Sequence, residues 1–320
     1  MLYKIEIQHG KRDNITLKYF FLFLIAFSFH STRILSEEIF LIDAHSQIPS
    51  LNDSKKIISI LDKAGVKKII LSNRREFNYR KLIKLSNSYP NRIFPAIKLK
   101  GNLWRLEKDD FRFKIKDQIE NDKYIAFGEV LLYHAPKGKD GEKAPEYNIR
   151  TQSKNFKFIL ENARKKRWPV PIHIEFNKVK DFKTRMRELE SILYNNKDIS
   201  FPLMHMGQLS IDQVYRLIKE NENIYFMLSR SHTIQIRTTN QPWTNLFDGD
   251  KIKPEWRNLF IQFPHRFIFA VDAVWSKDWS QSYYINIVRL WRKTLNEFPK
   301  HVSDLIAFQN AERLWRLKKN

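Results

Sequence analysis

Histidine and carboxylate side chains stand at the ends of several apolar runs in this sequence. His45, His173 and His205 do so in "LIDAHSQ", "PVPIHIEF" and "FPLMHMG". Glu129 follows a glycine in "AFGEVLL", and Asp272 closes "RFIFAVD". Neutral imidazoles and carboxylates are the nitrogen and oxygen ligands that zinc and similar divalent ions bind in proteins. Burying this many ionisable groups together requires a cation or dense pairing, so the set predicts a metal site.

The first of these runs carries three polar residues at alternate positions. In "FLIDAHSQIPS", residues 40–50, the side chains of Asp43, His45 and Gln47 share one face if the run is a β-strand. Taken singly, a histidine in such a place is more often a hydrogen-bonded structural residue. The metal-site prediction therefore depends on a fold that brings all the runs together.

Eight short apolar runs, rich in Ile, Val and Phe, recur after Glu38. Each predicts a buried strand, because parallel strands covered on both faces are almost continuously apolar. The predicted strands are Ile39–His45, Lys67–Ser72, Ile93–Leu99, Tyr124–Leu131, Val170–Phe176, Ile199–His205, Ile224–Ser229 and Phe267–Asp272.

Amphipathic stretches between and after these runs predict helices. They cover Asp53–Lys63, Arg75–Asn87, Asn155–Lys166, Thr184–Tyr194, Ser210–Glu220, Tyr283–Phe298 and Leu305–Leu317. The alternation predicts an α/β fold, a (β/α)8 TIM barrel with C-terminal closing helices. A doubly wound sheet is the alternative, but no G-x-G-x-x-G motif supports it. Two long connections, Tyr133–Arg150 and Arg230–Pro254, follow strands and are expected to cover the catalytic face.

The motifs together resemble the amidohydrolase superfamily of metal-dependent hydrolases, especially its amidohydrolase-related branch. The similarity extends from Ile39 to the C-terminus and includes the Asp-x-His-x-His-like first strand and the Gly-Glu pair on strand four. It also includes His on strands five and six and Asp on strand eight. The ending "FQNAERLWRL", Phe308–Leu317, is similar to the helix that closes this branch. The resemblance implies a hydrolase that attacks an amide, ester or lactone bond with metal-activated water.

The resemblance also implies a role for each matching residue. His45 and His173 would be metal ligands, and His205 would ligate the metal or polarise the substrate. Asp272 would ligate the metal, accept a proton from its bound water and pass it to the leaving group. Glu129 would contact the metal or support its ligands. The family's carboxylated lysine on strand four has no equivalent here, which implies one divalent ion, with zinc expected.

Gln47 stands where the family has a second histidine on strand one. It would be a weak metal ligand, a substrate contact, or the mark of a metal-depleted barrel that only binds a small ligand. We favour an altered metal site, because the other ligand positions are retained. Some relatives in this branch decarboxylate aromatic acids, so carbon–carbon cleavage is a further alternative.

Substrate contacts are expected in the loops after the last two strands. Arg230, His232 and Arg237 follow strand seven, and Trp275 follows strand eight. Arginine binds carboxylates and phosphates through two hydrogen bonds, and tryptophan stacks on rings. Packing over the barrel rim is the alternative for these residues and for Trp243 and Trp279. A small-molecule substrate is expected, and an anionic one suits the arginines.

Composition limits the partners and the chemistry. The formal net charge is +22, yet the lysines are spread along the chain, and no helix-turn-helix, RNA-recognition or zinc-finger pattern accompanies them. No nucleic-acid partner is therefore expected, while a homo-oligomer is compatible with the sequence. The chain has no cysteine, which excludes disulfides, thiolate catalysis and cysteine-ligated metals.

The N-terminal segment is expected to be separate from the barrel. "YFFLFLIAFSF", Tyr19–Phe29, is an apolar run preceded by Lys11, Arg12 and Lys18. It is shorter than the roughly 20 residues that span a bilayer and suits a secretory signal. The sequence thus predicts a signal peptide or membrane anchor over residues 1–31 and a barrel over 32–320. The expected location is outside the cytoplasm or on the membrane, with the membrane contacted only through this segment.

Overall fold

The structure, a computed structural model, describes residues 39–50, 54–74, 79–137, 142–239 and 241–317. The chain forms two units, Met1–Glu38 and Ile39–Asn320, and all described residues belong to the second. The predicted signal or anchor over residues 1–31 lies outside the described residues. Within the described ranges, no helix has both the length and the apolar character needed to cross a membrane.

Parallel strands form two sheets. The first sheet contains, in order, β1 (Leu41–Ile48), β2 (Val66–Asn73), β3 (Ile93–Ile97) and β4 (Ala126–Phe127). The second runs from β5 (Val130–His134) through β7 (Ile172–Ile174), β8 (Phe201–Leu203) and β9 (Ile224–Met227) to β12 (Phe267–Ile268). β6 (Tyr147–Asn148) pairs antiparallel with β5, and β10 (Phe247–Asp248) forms a hairpin with β11 (Lys251–Ile252).

β4 and β5 together occupy the fourth barrel position. The amide of Gly128 donates to the carbonyl of Ile97 on the β3 side at 2.8 Å. The amide of Val130 donates in the opposite direction, to Pro171 before β7, also at 2.8 Å. The strand pairing therefore changes from the first sheet to the second sheet between Gly128 and Val130. Glu129 lies at this change.

The barrel closes where β1 meets the chain that follows β12. The amide of Ala44 donates to Phe269 at 3.2 Å, and the amide of Asp272 donates to the carbonyl of His45 at 2.9 Å. Eight parallel positions with intervening helices confirm the predicted TIM barrel. Several of its strands are shorter than the apolar runs predicted, because their ends leave regular pairing near the site.

The helices surround this barrel. The elements are α1 (Ser54–Ala64), α2 (Tyr79–Ser88), α3 (Asn102–Arg105), α4 (Asp110–Glu120), α5 (Lys154–Lys166), α6 (Phe182–Asn195), α7 (Ile211–Glu220), α8 (Thr233–Thr239), α9 (Pro254–Gln262), α10 (Asn286–Asn296), α11 (Lys300–Asp304) and α12 (Asn310–Trp315). The predicted capping box opens α7, where the Ser210 hydroxyl accepts from the Gln213 amide and the Gln213 side chain accepts in return. Apolar faces of these helices cover the outside of the barrel.

A buried ion pair joins the barrel to the closing helix. Lys68 on β2 is 1% exposed, and its Nζ lies 2.8 Å from Glu312 Oε1 on α12. The neighbouring Asn310 side chain donates to the carbonyls of Pro264 and Phe267, each at 2.8 Å. These contacts attach the "NAERL" segment to strands from both ends of the chain.

Candidate active site

A cavity of about 1450 Å³ opens at the end of the barrel where the parallel strands finish. Four of the residues predicted to form the metal site line it: Glu129, His173, His205 and Asp272. The predicted long connections contribute Tyr147 and Trp243 to its walls, among others. The cavity is therefore located where a TIM barrel places its active site.

Three buried side chains form the centre of the site. Glu129, His173 and His205 each direct one ligand atom to within 4.8 Å of the other two. Glu129 Oε1 is in direct contact with His173 Nδ1. His205 Nδ1 is 2.8 Å from the Ser229 hydroxyl, which orients the ring so that Nε2 faces Asp272.

His45 and Asp272 extend this cluster. His45 Nε2 lies 3.4 Å from Asp272 Oδ1 and 3.9 Å from Glu129 Oε2. His205 Nε2 lies 3.7 Å from Asp272 Oδ2. Two ligands of a tetrahedral ion bound at ~2.1 Å stand ~3.4 Å apart. The spacing of these donor atoms is therefore compatible with a shared ion.

Three residues around the site have left-handed backbone conformations. The φ angles of His205, Arg230 and Asp272 are 54°, 61° and 58°. Residues other than glycine adopt this region at a cost of roughly 1–2 kcal/mol each. Each residue follows a barrel strand, so the unusual backbone turns its side chain toward the cavity. Backbone strain of this kind is typical of functional sites.

His173 and His205 have the protonation state that metal ligands require. Burial lowers the pKa of His173, outweighing the opposite effect of Glu175. Burial also lowers the pKa of His205 well below its usual range, despite nearby Asp272. Both rings are therefore neutral at physiological pH and can offer a lone pair to a cation.

Arg230 fixes one side of Asp272. Its Nε donates to Oδ2 at 2.9 Å, its Nη2 donates to the Asp272 carbonyl at 2.8 Å, and its Nη1 donates to the Tyr283 hydroxyl. Burial raises the pKa of Asp272, but Arg230, His45 and His205 lower it more, so the net pKa lies well below its usual range. Asp272 is thus a carboxylate whose second oxygen, Oδ1, faces His45.

The donor set fits a divalent cation. It combines neutral imidazoles with two carboxylates, the ligands expected for zinc and similar ions. Asp272 Oδ1 is buried and makes no hydrogen bond within the described part of the chain, although His45 lies near it. Buried polar atoms are almost always satisfied, so a cation at this position would complete the coordination of Asp272.

Gln47 lies beside the cluster, whereas Asp43 does not. Gln47 Nε2 is 3.4 Å from His45 Nε2, and its Oε1 accepts from Arg74 Nη1 at 3.4 Å. The pairing of β1 with β2 shifts between Asp43 and Ser46. Asp43 consequently accepts from Ser46 at 2.6 Å and from Tyr284 at 2.9 Å. The single strand face expected for residues 43, 45 and 47 is therefore wrong for Asp43, which joins β1 to the chain after β12.

Another buried carboxylate, Glu175, faces the ring nitrogen of His173 that Glu129 does not contact. Glu175 Oε2 accepts from the Ala135 amide at 2.9 Å, and Oε1 lies 3.5 Å from His173 Nε2 and 3.3 Å from Lys137 Nζ. Burial raises the pKa of Glu175, but His173, His134 and Lys137 lower it below its usual range overall. His134, which the sequence places in a loop, is the last residue of β5 and lines the cavity wall.

The predicted substrate residues separate into two groups. Arg230 and Trp275 line the cavity, although Arg230 is engaged by Asp272 and Tyr283. His232 packs on Phe247 and accepts from the Ile234 amide, and neither it nor Arg237 is among the cavity-lining residues. Trp243 also lines the cavity, while Trp279 is fully buried and donates to the Gln47 carbonyl.

A group of cations on the cavity wall was not predicted from the sequence. Arg74 follows β2, and Lys98 and Lys100 follow β3. Lys100 is in direct contact with Glu129. Burial and Arg74 lower the pKa of Lys98 to about 8. The sequence signal was a basic residue directly after strand two and two lysines at alternate positions after strand three. The many other lysines in the sequence make this pattern hard to recognise.

Comparison with known families gives one sequence match. The family model described as "TatD related DNase" matches residues 42–243. That range includes β1 and extends to Trp243, and it contains every cluster residue except Asp272. No curated relative matches the chain by sequence.

Solved structures share the fold at low identity. A probable 2-pyrone-4,6-dicarboxylic acid hydrolase of Acinetobacter baumannii, with citric acid bound, is 14% identical, with 86% of this chain and 99% of that chain covered and a TM-score of 0.53. A zinc-bound amidohydrolase of Burkholderia multivorans is 12% identical, over 87% and 100%, with a TM-score of 0.53. Dihydroorotase of Saccharomyces cerevisiae with 5-fluoroorotic acid is 12% identical, over 88% and 85%, with a TM-score of 0.56. The family match together with these shared folds confirms the predicted resemblance to the amidohydrolase superfamily.

Proposed function

The chain belongs to the family of TatD related DNases, and we propose that it is a hydrolase that uses a bound divalent metal ion. The observation that carries the proposal is the convergence of Glu129, His173 and His205, with His45 and Asp272 beside them. These residues come from five separate barrel positions. A purely structural role would not require so many ionisable groups at one barrel end.

The residues proposed to supply the ligands of the ion, with one position left for water, are drawn from His45, His173, His205, Glu129 and Asp272. One ion, with zinc as the expected metal, is the simplest occupant of donor atoms this close together. When bound, such an ion supplies Lewis acidity and lowers the pKa of water toward ~7, which makes a nucleophile available at neutral pH. We propose that the metal site is altered at Gln47, the residue on strand one that contacts His45.

Asp272 is proposed as the group that moves the proton. Arg230 occupies Oδ2, so Oδ1 is the oxygen that accepts a proton from the attacking water. Because the pKa of Asp272 lies well below its usual range, the group begins the reaction as a carboxylate. The same low pKa lets the accepted proton pass readily to the leaving group. His205 is held by Ser229, with its Nε2 3.7 Å from Asp272 Oδ2, and is proposed either to ligate the ion or to polarise the bond under attack.

The proposed scissile bond is an amide, ester or lactone of a small molecule. The cavity is large enough for a small substrate, and Trp243 contributes an aromatic wall beside His173 and His205. Two of the solved structures of this fold hold citric acid and 5-fluoroorotic acid, which are small anions. Decarboxylation by the same site and ligand binding without catalysis are the competing outcomes of the assay.

A second candidate is hydrolysis of DNA, the substrate in the family's description. The net charge of +22 and the basic cavity wall favour it. Phosphodiester hydrolysis would require single-stranded or frayed DNA to enter a barrel mouth lined by Trp243, Tyr147 and lysines. The DNA bases would stack on the aromatic rings. The expectation that no nucleic acid binds is tested by the same experiment.

The experiment compares zinc-loaded wild-type protein with Asp272→Asn and His173→Ala. A panel of aryl esters, lactones and fluorescently labelled single-stranded DNA is offered at neutral pH. The proposal predicts turnover that falls at least ~100-fold in both variants. Turnover of DNA alone would favour the second candidate. Full activity of chelator-treated protein would contradict the metal-dependent mechanism.

We also propose that residues 1–31 export the protein or anchor it to a membrane. This proposal rests on the apolar run Tyr19–Phe29 and the basic residues before it. Fractionation of cells that produce a C-terminally tagged full chain tests it. Tagged protein confined to the cytosol would contradict it.

A further inference from the structure

The cavity carries more positive than negative side chains. Seven lysine and arginine residues line it, against three carboxylates. Two of those carboxylates, Glu129 and Asp272, belong to the metal cluster. The remaining one, Asp278, accepts from the amides of Val274 and Trp275 at 2.9 and 3.0 Å. The excess of cations makes the cavity attractive to anions before any metal is bound.

Two of these cations, Arg74 and Lys98, stand together on one wall of the cavity. Arg74 follows β2 and Lys98 follows β3, so adjacent strands deliver both side chains to the cavity. Arg74 is close enough to lower the pKa of Lys98, to which burial contributes most. Two like charges held together in a partly buried site repel each other, and a bound anion would relieve that repulsion.

Neighbouring side chains hold the Arg74 guanidinium in place. Its Cζ lies 4.7 Å from the centre of the Trp275 ring, a cation–π contact. Its Nη1 donates to Gln47 Oε1, while Gln47 Nε2 faces His45. Gln47 therefore lies between Arg74 and His45, a proposed metal ligand. A group bound by Arg74 would lie beside the reacting centre.

We propose that Arg74 and Lys98 form a subsite for an oxyanion of the substrate, a carboxylate or a phosphate group. The inference rests on the proposed hydrolase function and adds the class of substrate to it. Arg74 offers a planar fork that matches two oxygens, and Lys98 adds a point charge. Substrates that carry such a group next to the scissile bond would be selected over neutral analogues.

Isothermal titration with citrate and with inorganic phosphate tests the subsite. The titrations are made on chelator-treated and on zinc-loaded full-length protein, so that binding to a metal is separated from binding to the wall. The variants are Arg74→Gln and Lys98→Gln, with Lys98→Arg as the charge-retaining form. Lys277→Gln is the matched control, because Lys277 lines the cavity and is exposed. Thermal unfolding verifies that each variant is folded.

The subsite predicts that metal-free protein binds at least one of the two anions. Affinity should fall ~10-fold or more in each Gln variant, the loss expected for one charge-assisted hydrogen bond, and remain within ~3-fold in Lys98→Arg and Lys277→Gln. Tighter citrate binding assigns a carboxylate, and tighter phosphate binding assigns a phosphate. Equal losses in Lys277→Gln, or no loss in Lys98→Gln, would overturn the subsite.

The same titrations separate the subsite from the hydrolase proposal. Anion binding that depends on Lys98, in protein that takes up no zinc when zinc is added, would support the subsite and contradict the metal-dependent function. Zinc-dependent turnover with no change in Lys98→Gln or Arg74→Gln would support the function and overturn the subsite.

Discussion

Replacing Gln47 with histidine should strengthen zinc binding. Gln47 is 2% exposed, and its amide nitrogen lies 3.4 Å from His45 Nε2. That distance equals the 3.4 Å between His45 Nε2 and Asp272 Oδ1, two proposed ligands of one ion. An imidazole at position 47 would therefore offer a nitrogen at the spacing of neighbouring ligands on a tetrahedral ion.

The size of the effect follows from the energy of a zinc ligand. Four-ligand structural zinc sites bind with apparent free energies of ~10–16 kcal/mol, or ~2–4 kcal/mol per ligand. Gln47→His also loses the hydrogen bond from Arg74, which is worth ~1 kcal/mol at most at its length of 3.4 Å. The net gain is ~1–3 kcal/mol, so the zinc dissociation constant should fall ~5–150-fold.

Competition with a chromogenic zinc chelator at neutral pH measures this constant. Gln241→His is the matched control, because it adds an imidazole to the cavity wall outside the metal cluster. Its dissociation constant should stay within ~3-fold of wild type. If Gln47→His binds zinc no more tightly than wild type, while His45→Ala still weakens binding, residue 47 does not reach the ion and the geometric reasoning is refuted.

Three further predictions address charge, backbone and stability. Citrate affinity should decline as the pH rises through about 8, because Lys98 then loses its proton. Titrations up to pH ~9.5 should show this decline in the wild-type protein but not in Lys98→Arg. A decline that persists in Lys98→Arg would refute the assignment of the pH dependence to Lys98. Gly128→Ala would place a Cβ 2.9 Å from the Ile97 carbonyl oxygen. The substitution should therefore lower the unfolding free energy by ~1–3 kcal/mol in urea titrations and reduce zinc retention. Wild-type stability and zinc retention would contradict the tight contact. Glu312→Gln removes the carboxylate that pairs with the buried Lys68 ammonium and should cost ~3 kcal/mol of unfolding free energy, whereas Lys68→Met with Glu312→Leu should recover most of it. An unchanged single variant would show that the pair contributes little.

The barrel was predictable from the sequence because its strands are buried on both faces. Continuous apolar runs identify such strands, and their C-terminal ends meet at one place in a parallel barrel. His173, His205 and Glu129 could therefore be expected to meet, and in the structure their ligand atoms do. The division of strand four at Gly128 was not predicted, because the predicted strand Tyr124–Leu131 runs through Gly128 from β4 into β5.

Side-chain partners were harder to predict than positions. The sequence suggested Arg230 as a substrate contact, but the left-handed backbone at residue 230 turns its guanidinium onto Asp272. The alternate-residue rule grouped Asp43 with His45, but the irregular pairing after Asp43 separates them. Lys98 could not be distinguished among 57 lysines and arginines, because charge alone does not reveal which of them face a cavity.

Metal analysis of the purified protein tests whether the site binds a divalent ion. Wild-type protein, loaded with zinc and then passed through a desalting column, is analysed by elemental mass spectrometry beside a folded His173→Ala, Asp272→Asn double variant. We expect about one zinc ion per wild-type chain and almost none in the double variant. A folded wild-type protein that retains no divalent metal, or equal retention in the double variant, would show that these residues do not hold a metal ion.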